Sequence, residues 1–375
     1  MLKILGGNGE TLKRKLIALA AEGGRTLVIV PEQYTLQTER DLLEGLNAPG
    51  FFDLEVLSPS RLTERVFAQT GADGRVRIDA RGKQFALARA LLQCQKQLRY
   101  FESAAQKQGF IQRAGTLIAD FKRAGVSPEQ LKEYAGALPE GAERDKFQDL
   151  ALLYSAYAQH LAGQFVDGED VLEALVARIP QCDFAQGART LVYGFDVLTG
   201  QMCRLLLALS QCAREADVLL ALGREEYFAP VLESARRLQG AAETEGIPCR
   251  LLLLPPGPTR RAPELDHLSR RYLSMPAVPF QGPQKAIRLY AAPNPYFEAH
   301  FAAQEMLLLH ERGVAFGEMA VALGDAGFSG VLATVLADYR IPAYIARKLP
   351  ASSHGAARFL LASLRAAANG YPAGD

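Results

Sequence analysis

The feature of this sequence that most limits its fold is a set of short aliphatic runs, rich in β-branched residues, that stop abruptly in polar residues. Thr26 to Tyr34 reads T-L-V-I-V-P-E-Q-Y, and Thr190 to Thr199 reads T-L-V-Y-G-F-D-V-L-T. A run that is apolar at successive positions, instead of at alternate ones, suits a strand covered on both faces, as in a parallel sheet between helices. In such sheets the loops at the carboxyl ends of the strands are where ligands bind.

Further runs fit the same scheme. Leu2 to Leu5 leads through Gly6-Gly7-Asn8-Gly9 into helical spacing over Thr11 to Ala21, and Leu54 to Leu57 enters Ser58-Pro59-Ser60-Arg61 and a helix through Phe67. From Asp79 to Ile179 the rhythm changes to helix after helix, with Phe85, Leu87, Leu91 and Leu92 on one stripe and Leu150, Leu153, Tyr154 and Tyr157 on another. The β/α rhythm returns at Thr190, with a helix over Gln201 to Cys212 and a strand at Val218 to Leu222. The prediction is an α/β domain over 1–75 and 185–255, interrupted by an all-helical insertion over 76–184. A proline-rich linker or surface loop over 256–283 then leads to a second α/β unit over 284–375, with strands at Ala286 to Ala291, Met319 to Leu323 and Pro342 to Ile345. Only three strands are found there, which suggests part of a longer protein.

At 375 residues there is ample chain for two or three cores. A net charge of +1 gives no global signal for nucleic acid, and the five cysteines are scattered without a metal-ligand spacing. The dispersed histidines, His160, His267, His300, His310 and His354, likewise predict no metal site. No secretory leader and no run of 18 apolar residues stands out, so the expected location is the cytoplasm.

The glycine turn invites comparison with a phosphate-binding loop, G-x-x-x-x-G-K-[ST], in which backbone N–H groups cradle phosphates and a lysine reaches the terminal ones. Gly6, Gly7, Gly9, Thr11 and Lys13 occupy that stretch, but no Gly-Lys-Thr core is present and Glu10 adds negative charge. A motor would also need a strand ending in Asp-Glu for Mg²⁺ and water. Here Val192 is followed by Tyr193-Gly194-Phe195-Asp196, with a single acid set late. Both halves are degenerate together, so these residues read as a vestigial nucleotide site, with no ATP or Mg²⁺ expected. No catalytic residue is assigned, since neither a nucleophile motif nor a carboxylate cluster for nuclease chemistry is found.

Positive evidence points to DNA. Arg75 to Gly125 carries eleven Lys or Arg against three acids, and Arg99-Tyr100-Phe101 adds aromatics, although at helical spacing these are commonly core. Around the strand ends, Gln33, Thr35 and Ser60 offer short donors and acceptors, Arg61 a bidentate fork and Phe195 a ring. Gln33 and Thr35 also suit a plain role as helix caps.

In order and spacing, Val30-Pro31-Glu32-Gln33-Tyr34-Thr35, Ser58-Pro59-Ser60-Arg61-Leu62, Gly109-Phe110-Ile111, Lys146-Phe147-Gln148-Asp149-Leu150, Gly194-Phe195-Asp196 and Ile341-Pro342-Ala343-Tyr344 resemble the AddB-type subunit of bacterial ATP-dependent helicase–nucleases, which include RexB. The resemblance implies a RecA-like, superfamily-1 helicase-like domain with a helical insertion, followed by a second RecA-like domain. It implies a channel for the 3′-terminated strand, with recognition of a Chi-like sequence, at Gln33, Thr35, Ser60, Arg61 and Phe195. An AddA-type motor subunit would be the partner, and double-strand-break repair the process. The resemblance also implies that nuclease activity and an iron–sulfur cluster would belong to a C-terminal domain outside this chain. Pro59 and Glu64 stand where many relatives place an aromatic. Alongside this reading, an active helicase using Lys13 and Asp196, and a scaffold that binds only the motor subunit, remain open.

Overall fold

The computed structural model describes residues 1–71, 74–105, 107, 109–222, 229–257, 261–272, 274–345 and 351–370. They form two units, Met1–Arg261 with Arg271–Val278, and Ala262–Arg270 with Pro279–Asp375.

The first unit is built on a parallel sheet. In chain order its elements are β1 (Leu2–Gly7), α1 (Gly9–Ala20), β2 (Thr26–Ile29), α2 (Thr35–Leu46), β3 (Leu54–Leu57), α3 (Pro59–Thr70) and β4 (Val76–Arg77). Four helices follow, α4 (Ala80–Cys94), α5 (Phe110–Ala124), α6 (Pro128–Ala137) and α7 (Ala142–Leu161), then β5 (Phe165–Val166) and α8 (Gly168–Arg178). The chain returns to the sheet with β6 (Arg189–Tyr193), α9 (Gly200–Cys212), β7 (Glu215–Ala221), α10 (Ala229–Thr244) and β8 (Cys249–Leu253). The six-stranded sheet runs β3-β2-β6-β7-β1-β8 with every neighbouring pair parallel, and β4 and β5 form a separate short pair.

The run pattern explains the layers. Leu2, Ile4, Leu27, Ile29, Val192, Val218 and Leu220 point to one face, where α3, α8, α9 and α10 cover them with Leu62, Leu175, Leu205 and Leu238. The alternate residues Leu5, Val28, Val30, Leu191 and Leu219 meet Leu12 and Leu16 of α1 and Leu42 of α2 on the other. Strands β1, β2, β3, β6 and β7 therefore bury side chains on both faces, at about 1.5–3 kcal/mol for each large side chain taken from water. Strand β8 is not anticipated by the sequence pattern. It is an edge strand whose Leu252 and Leu253 are about half exposed, and it abuts the proline-rich stretch, so its residues look like loop.

The insertion packs α4, α5 and α7 around Leu87, Leu91, Ile118, Leu153, Tyr154 and Tyr157. The expected stripe on α4 is half right: Leu87 and Leu91 are buried, but Phe85 and Leu92 are 76% and 74% exposed, and Ala86, Ala90 and Cys94 complete the buried face. Helix α8 follows the insertion helices but packs with the sheet, inserting Leu175 into its core.

One buried ionic cluster joins these parts. Lys122 Nζ of α5 donates to Asp167 Oδ2 and to Asp170 Oδ1, both at 2.7 Å, and Tyr157 Oη of α7 donates to Asp167 Oδ2 at 2.9 Å. Asp167 also accepts from the backbone N–H of Asp170 and so caps α8. Gly200, at the start of α9, lies against α5 so closely that a Cβ there would sit 2.9 Å from the carbonyl oxygen of Ala124.

In the second unit α11 (Pro263–Arg271) forms inside the stretch read as linker or loop, and Glu264 accepts the backbone N–H groups of Lys285 and Ala286. Helices α12 (Pro295–Glu311) and α13 (Ser329–Asp338) pack through Ala299, Ala303, Leu332, Val335 and Leu336, and α14 (Gly355–Ala368) completes the unit. The three strands expected at Ala286 to Ala291, Met319 to Leu323 and Pro342 to Ile345 are not formed; those segments are irregular and join no ladder among the described residues. Leu289 and Tyr344 are 100% and 92% exposed, so apolar content there meets no neighbouring strand. Met306, Phe316, Leu323, Leu336, Ala343 and Ile345 line a cavity of about 830 Å³.

The ionic cluster yields a stability prediction. Lys122→Met leaves the buried Asp167 and the half-buried Asp170 without their cation and is expected to cost about 3–5 kcal/mol in urea unfolding. Burial opposes the charge on Asp167, yet Lys122 and the hydrogen bonds hold its carboxyl below the ordinary aspartate value. Its stabilisation is therefore complete above the unfolded value and is lost as pH falls through the lower folded one. Asp167→Asn is expected to flatten the fall in unfolding midpoint below about pH 4, measured against the unaltered chain.

Candidate nucleic-acid interface

Because all six strands run the same way, their carboxyl ends share one edge of the sheet. The order β3-β2-β6 places the loops after Leu57, Ile29 and Tyr193 side by side there. Those loops, with the first turns of the helices they enter, carry all five residues assigned to DNA.

Pro31 stops β2, and Glu32 to Tyr34 make one 3₁₀ turn before α2 begins at Thr35. Gln33 is exposed in that turn. Thr35 Oγ1 donates to the carbonyl of Glu32 at 3.3 Å, which engages it in the turn and leaves it half-buried. After β3, the Ser58 side chain caps α3 by accepting the Arg61 N–H, with proline at the first helical position. Ser60 and Arg61 are exposed on the first turn of α3.

Glu32 ties the two loops together. Its carboxylate accepts the Ser60 N–H at 3.0 Å and the Ser60 hydroxyl at 2.8 Å. Burial works to raise this carboxyl, but hydrogen bonds involving Ser58 and Ser60, with the Arg61 charge, bring it below the ordinary value. Its charge sits at the positive end of α3, where a helix favours an anion. The Arg61 guanidinium is 55% exposed and meets Glu39 at 3.4 Å. An exposed pair of this kind is worth about 0–1 kcal/mol, so the fork is readily released to a stronger anion.

Two rings stand at these loops. Phe195 is half-buried and packs against the sheet core. Tyr34 is 43% exposed. The sequence places Tyr34 and Glu32 within a motif but signals no role for either, since the contacts that define them reach to residues 194 and 60.

The glycine turn is placed apart from these loops. Two strands, β6 and β7, separate β1 from β2. Gly6 and Gly7 belong to β1 itself, and Gly9 already opens α1, so the connection is the single residue Asn8. Gly6 is needed for packing, because a Cβ there would lie 2.7 Å from Leu253 Cδ2 and 2.9 Å from Leu222 Cβ. The Asn8 side chain accepts the Thr11 N–H at 2.9 Å, so the chain itself caps the helix end that would hold a phosphate. Lys13 Nζ pairs with Asp41 at 2.7 Å, Glu10 pairs with Arg14, and Thr11 Oγ1 accepts the Gly257 N–H at 3.3 Å. Asp196 is exposed in the loop after β6, with β7 between that strand and β1. The connection is thus a one-residue turn without the long row of N–H groups of a phosphate-binding loop, and Lys13 is paired with Asp41.

The basic stretch is less free than its composition implies. Lys83, Lys122 and Arg123 pair with Glu169, Asp167 or Asp170, and Arg99 with Asp145, all acids from outside that stretch. Tyr100 is 47% exposed and meets Phe101 edge-on, while Phe101 packs on the core around Leu131 and Leu150.

Cys94, Cys182 and Cys203 are buried, and Cys212 and Cys249 half-buried, all as free thiols. Among the described residues no three His, Cys, Asp or Glu side chains are placed together to hold a metal ion. No described helix is long and apolar enough to cross a membrane.

Comparison with known proteins identifies the family. A family model described as AddB, N-terminal, matches residues 11–269. The B-type subunit of the ATP-dependent helicase/deoxyribonuclease of Desulforudis audaxviator is 35% identical over 357 residues, covering 91% of this chain and 31% of that protein. The equivalent protein of Moorella thermoacetica is 34% identical over 384 residues, covering 96% and 33%, and that of Acetivibrio thermocellus is 28% identical, covering 95% and 32%. The chain spans about a third of the length of these curated relatives. With the match running from the first helix to the end of the sheet domain and beyond, this chain belongs to the AddB N-terminal family.

Proposed function

We propose that this chain is the helicase-like, non-hydrolysing DNA-binding portion of a helicase–nuclease complex that processes double-strand breaks for recombinational repair. Its sheet domain is RecA-like in this reading, and the loops after β2, β3 and β6 form a trough for a single strand. The observation that carries the proposal is the contrast between two ends of one sheet edge. At β3-β2-β6, Gln33, Ser60 and Arg61 are presented to solvent on adjacent loops. At β1, the turn is one residue long and Lys13 is bound to Asp41.

The chemistry follows from the residue types. Arg61 supplies a charge-assisted fork for a phosphate, displacing its weak contact with Glu39. Glu32 is a positioning residue that holds Ser60 and the start of α3 against the β2 loop. Gln33 and Ser60 add hydrogen bonds of either sense to base edges or backbone. The motor function lies with an AddA-type partner, in keeping with the relatives' description as one subunit of an ATP-dependent enzyme. Reading of a Chi-type sequence on the 3′-terminated strand belongs to the same trough.

Two outcomes test this. Arg61→Ala is expected to weaken binding of an oligothymidine at low salt and to lower the slope of log affinity against log salt by about 0.7, one phosphate contact's worth. Unchanged affinity with unchanged slope would speak against the trough. Calorimetric titration with Mg-ATP is expected to show no binding in the micromolar range and no turnover; tight binding with hydrolysis would favour the active-helicase reading.

A further inference from the structure

The ring of Tyr34 is set in place by a glycine 160 positions later in the chain. A Cβ at Gly194 would lie 3.3 Å from Pro31 Cδ, 3.5 Å from Tyr34 Cδ2 and 3.7 Å from Tyr34 Cγ. The residue also has φ +82°, a conformation that glycine adopts without steric cost. The Tyr34 ring is therefore seated against the bare backbone of the turn after β6, with Pro31 beside it. Tyr193, the residue before that glycine, is half-buried, and burial, followed by the charge of Asp41, raises its hydroxyl above the ordinary value. Yet 43% of Tyr34 remains in solvent. Leu36, in the first turn of α2, and Val197, in the loop after β6, are 67% and 57% exposed.

We propose that Tyr34 is the stacking platform for a base of the bound strand. This rests on the DNA-binding reading given above and adds to it a binding residue beside Phe195, which is half-buried against the sheet core. A phenol held at fixed height beside Gln33, Ser60 and Arg61 offers a base one π face while the neighbouring groups hold its phosphate and edges. Stacking of this kind tolerates any base, so it supplies affinity and register. Sequence reading, if present, falls to the hydrogen-bonding side chains. The polar donors around the ring suit a nucleobase and its phosphate, whereas a protein partner would need a broader apolar surface than Tyr34, Leu36 and Val197 supply.

The chain contains no tryptophan, which makes a direct test available. Tyr34→Trp installs a single indole in the trough, and Phe52→Trp installs one before β3, at the opposite edge of the sheet, where Phe52 is fully exposed. Titration with oligothymidine at low salt is expected to quench the indole at position 34, and an abasic oligomer of equal length is expected to bind without quenching it. The indole at position 52 is expected to be unaffected. In anisotropy measurements Tyr34→Ala should lose roughly 5- to 150-fold in affinity for oligothymidine and less than about 2-fold for the abasic strand, with Tyr34→Phe close to the parent. Circular dichroism confirms that each variant is folded. Binding without quenching, or an equal loss for both strands, would overturn the stacking assignment while leaving the trough. Failure of the unaltered chain to bind any strand would overturn the DNA reading itself. Quenching by the motor protein and not by DNA would overturn the assignment in favour of a protein contact.

Discussion

The two-sided pairing of β2 is the constraint on which the rest of the structure depends. Thr26 to Ile29 pair with Leu54 to Leu57 on one side and with Arg189 to Val192 on the other, both parallel. The second pairing joins segments more than 150 residues apart and is closed only because the intervening helices return the chain to the same edge. Parallel direction then forces the three following loops to emerge together. Their content, not the sheet, distinguishes this site from a nucleotide pocket.

The helical insertion is held to that framework by electrostatics in a dry place. Lys122 is 7% exposed and Asp167 2%, so their attraction is little screened, and the cost of burying the charges is met by four hydrogen bonds to Asp167 and Asp170. Asp167 at once neutralises α5, orients Tyr157 of α7 and caps α8. The close approach of Gly200 to the Ala124 carbonyl brings α9, and with it the end of the β6 loop, against the same helix. Geometry at Gly194 and Phe195 is in this way tied to how the insertion packs.

Much of the sheet was legible because five of its strands bury both faces, so Leu-Val-Ile runs stand out without an alignment. Strand β8 was not, since Leu252 and Leu253 face solvent at an edge and merge with the prolines that follow. On α4, Phe85 and Leu92 satisfied a helical period while lying outside the buried arc of Ala86, Leu87, Ala90, Leu91 and Cys94. In the second unit, apolar stretches alone suggested strands that pair with nothing among the described residues. At the candidate site, the loops could be read because they follow recognisable strands. Their contacts could not: Glu32 meets Ser60 across 28 positions and Tyr34 meets Gly194 across 160. Within 75–125 the partners of Lys83, Arg99, Lys122 and Arg123 are likewise distant in sequence, lying on α7, on α8 and at its cap.

The central claim is that this sheet edge grips a polynucleotide strand and leaves the β1 turn idle. Hydrogen exchange on the full chain, with and without a saturating oligothymidine and separately with Mg-ATP, tests it most directly. The account predicts slower exchange at 31–36, 58–61 and 194–199 with the strand, and no change at 6–13 with either ligand. Protection of 6–13 by Mg-ATP, with the three loops unaffected by the strand, would contradict it.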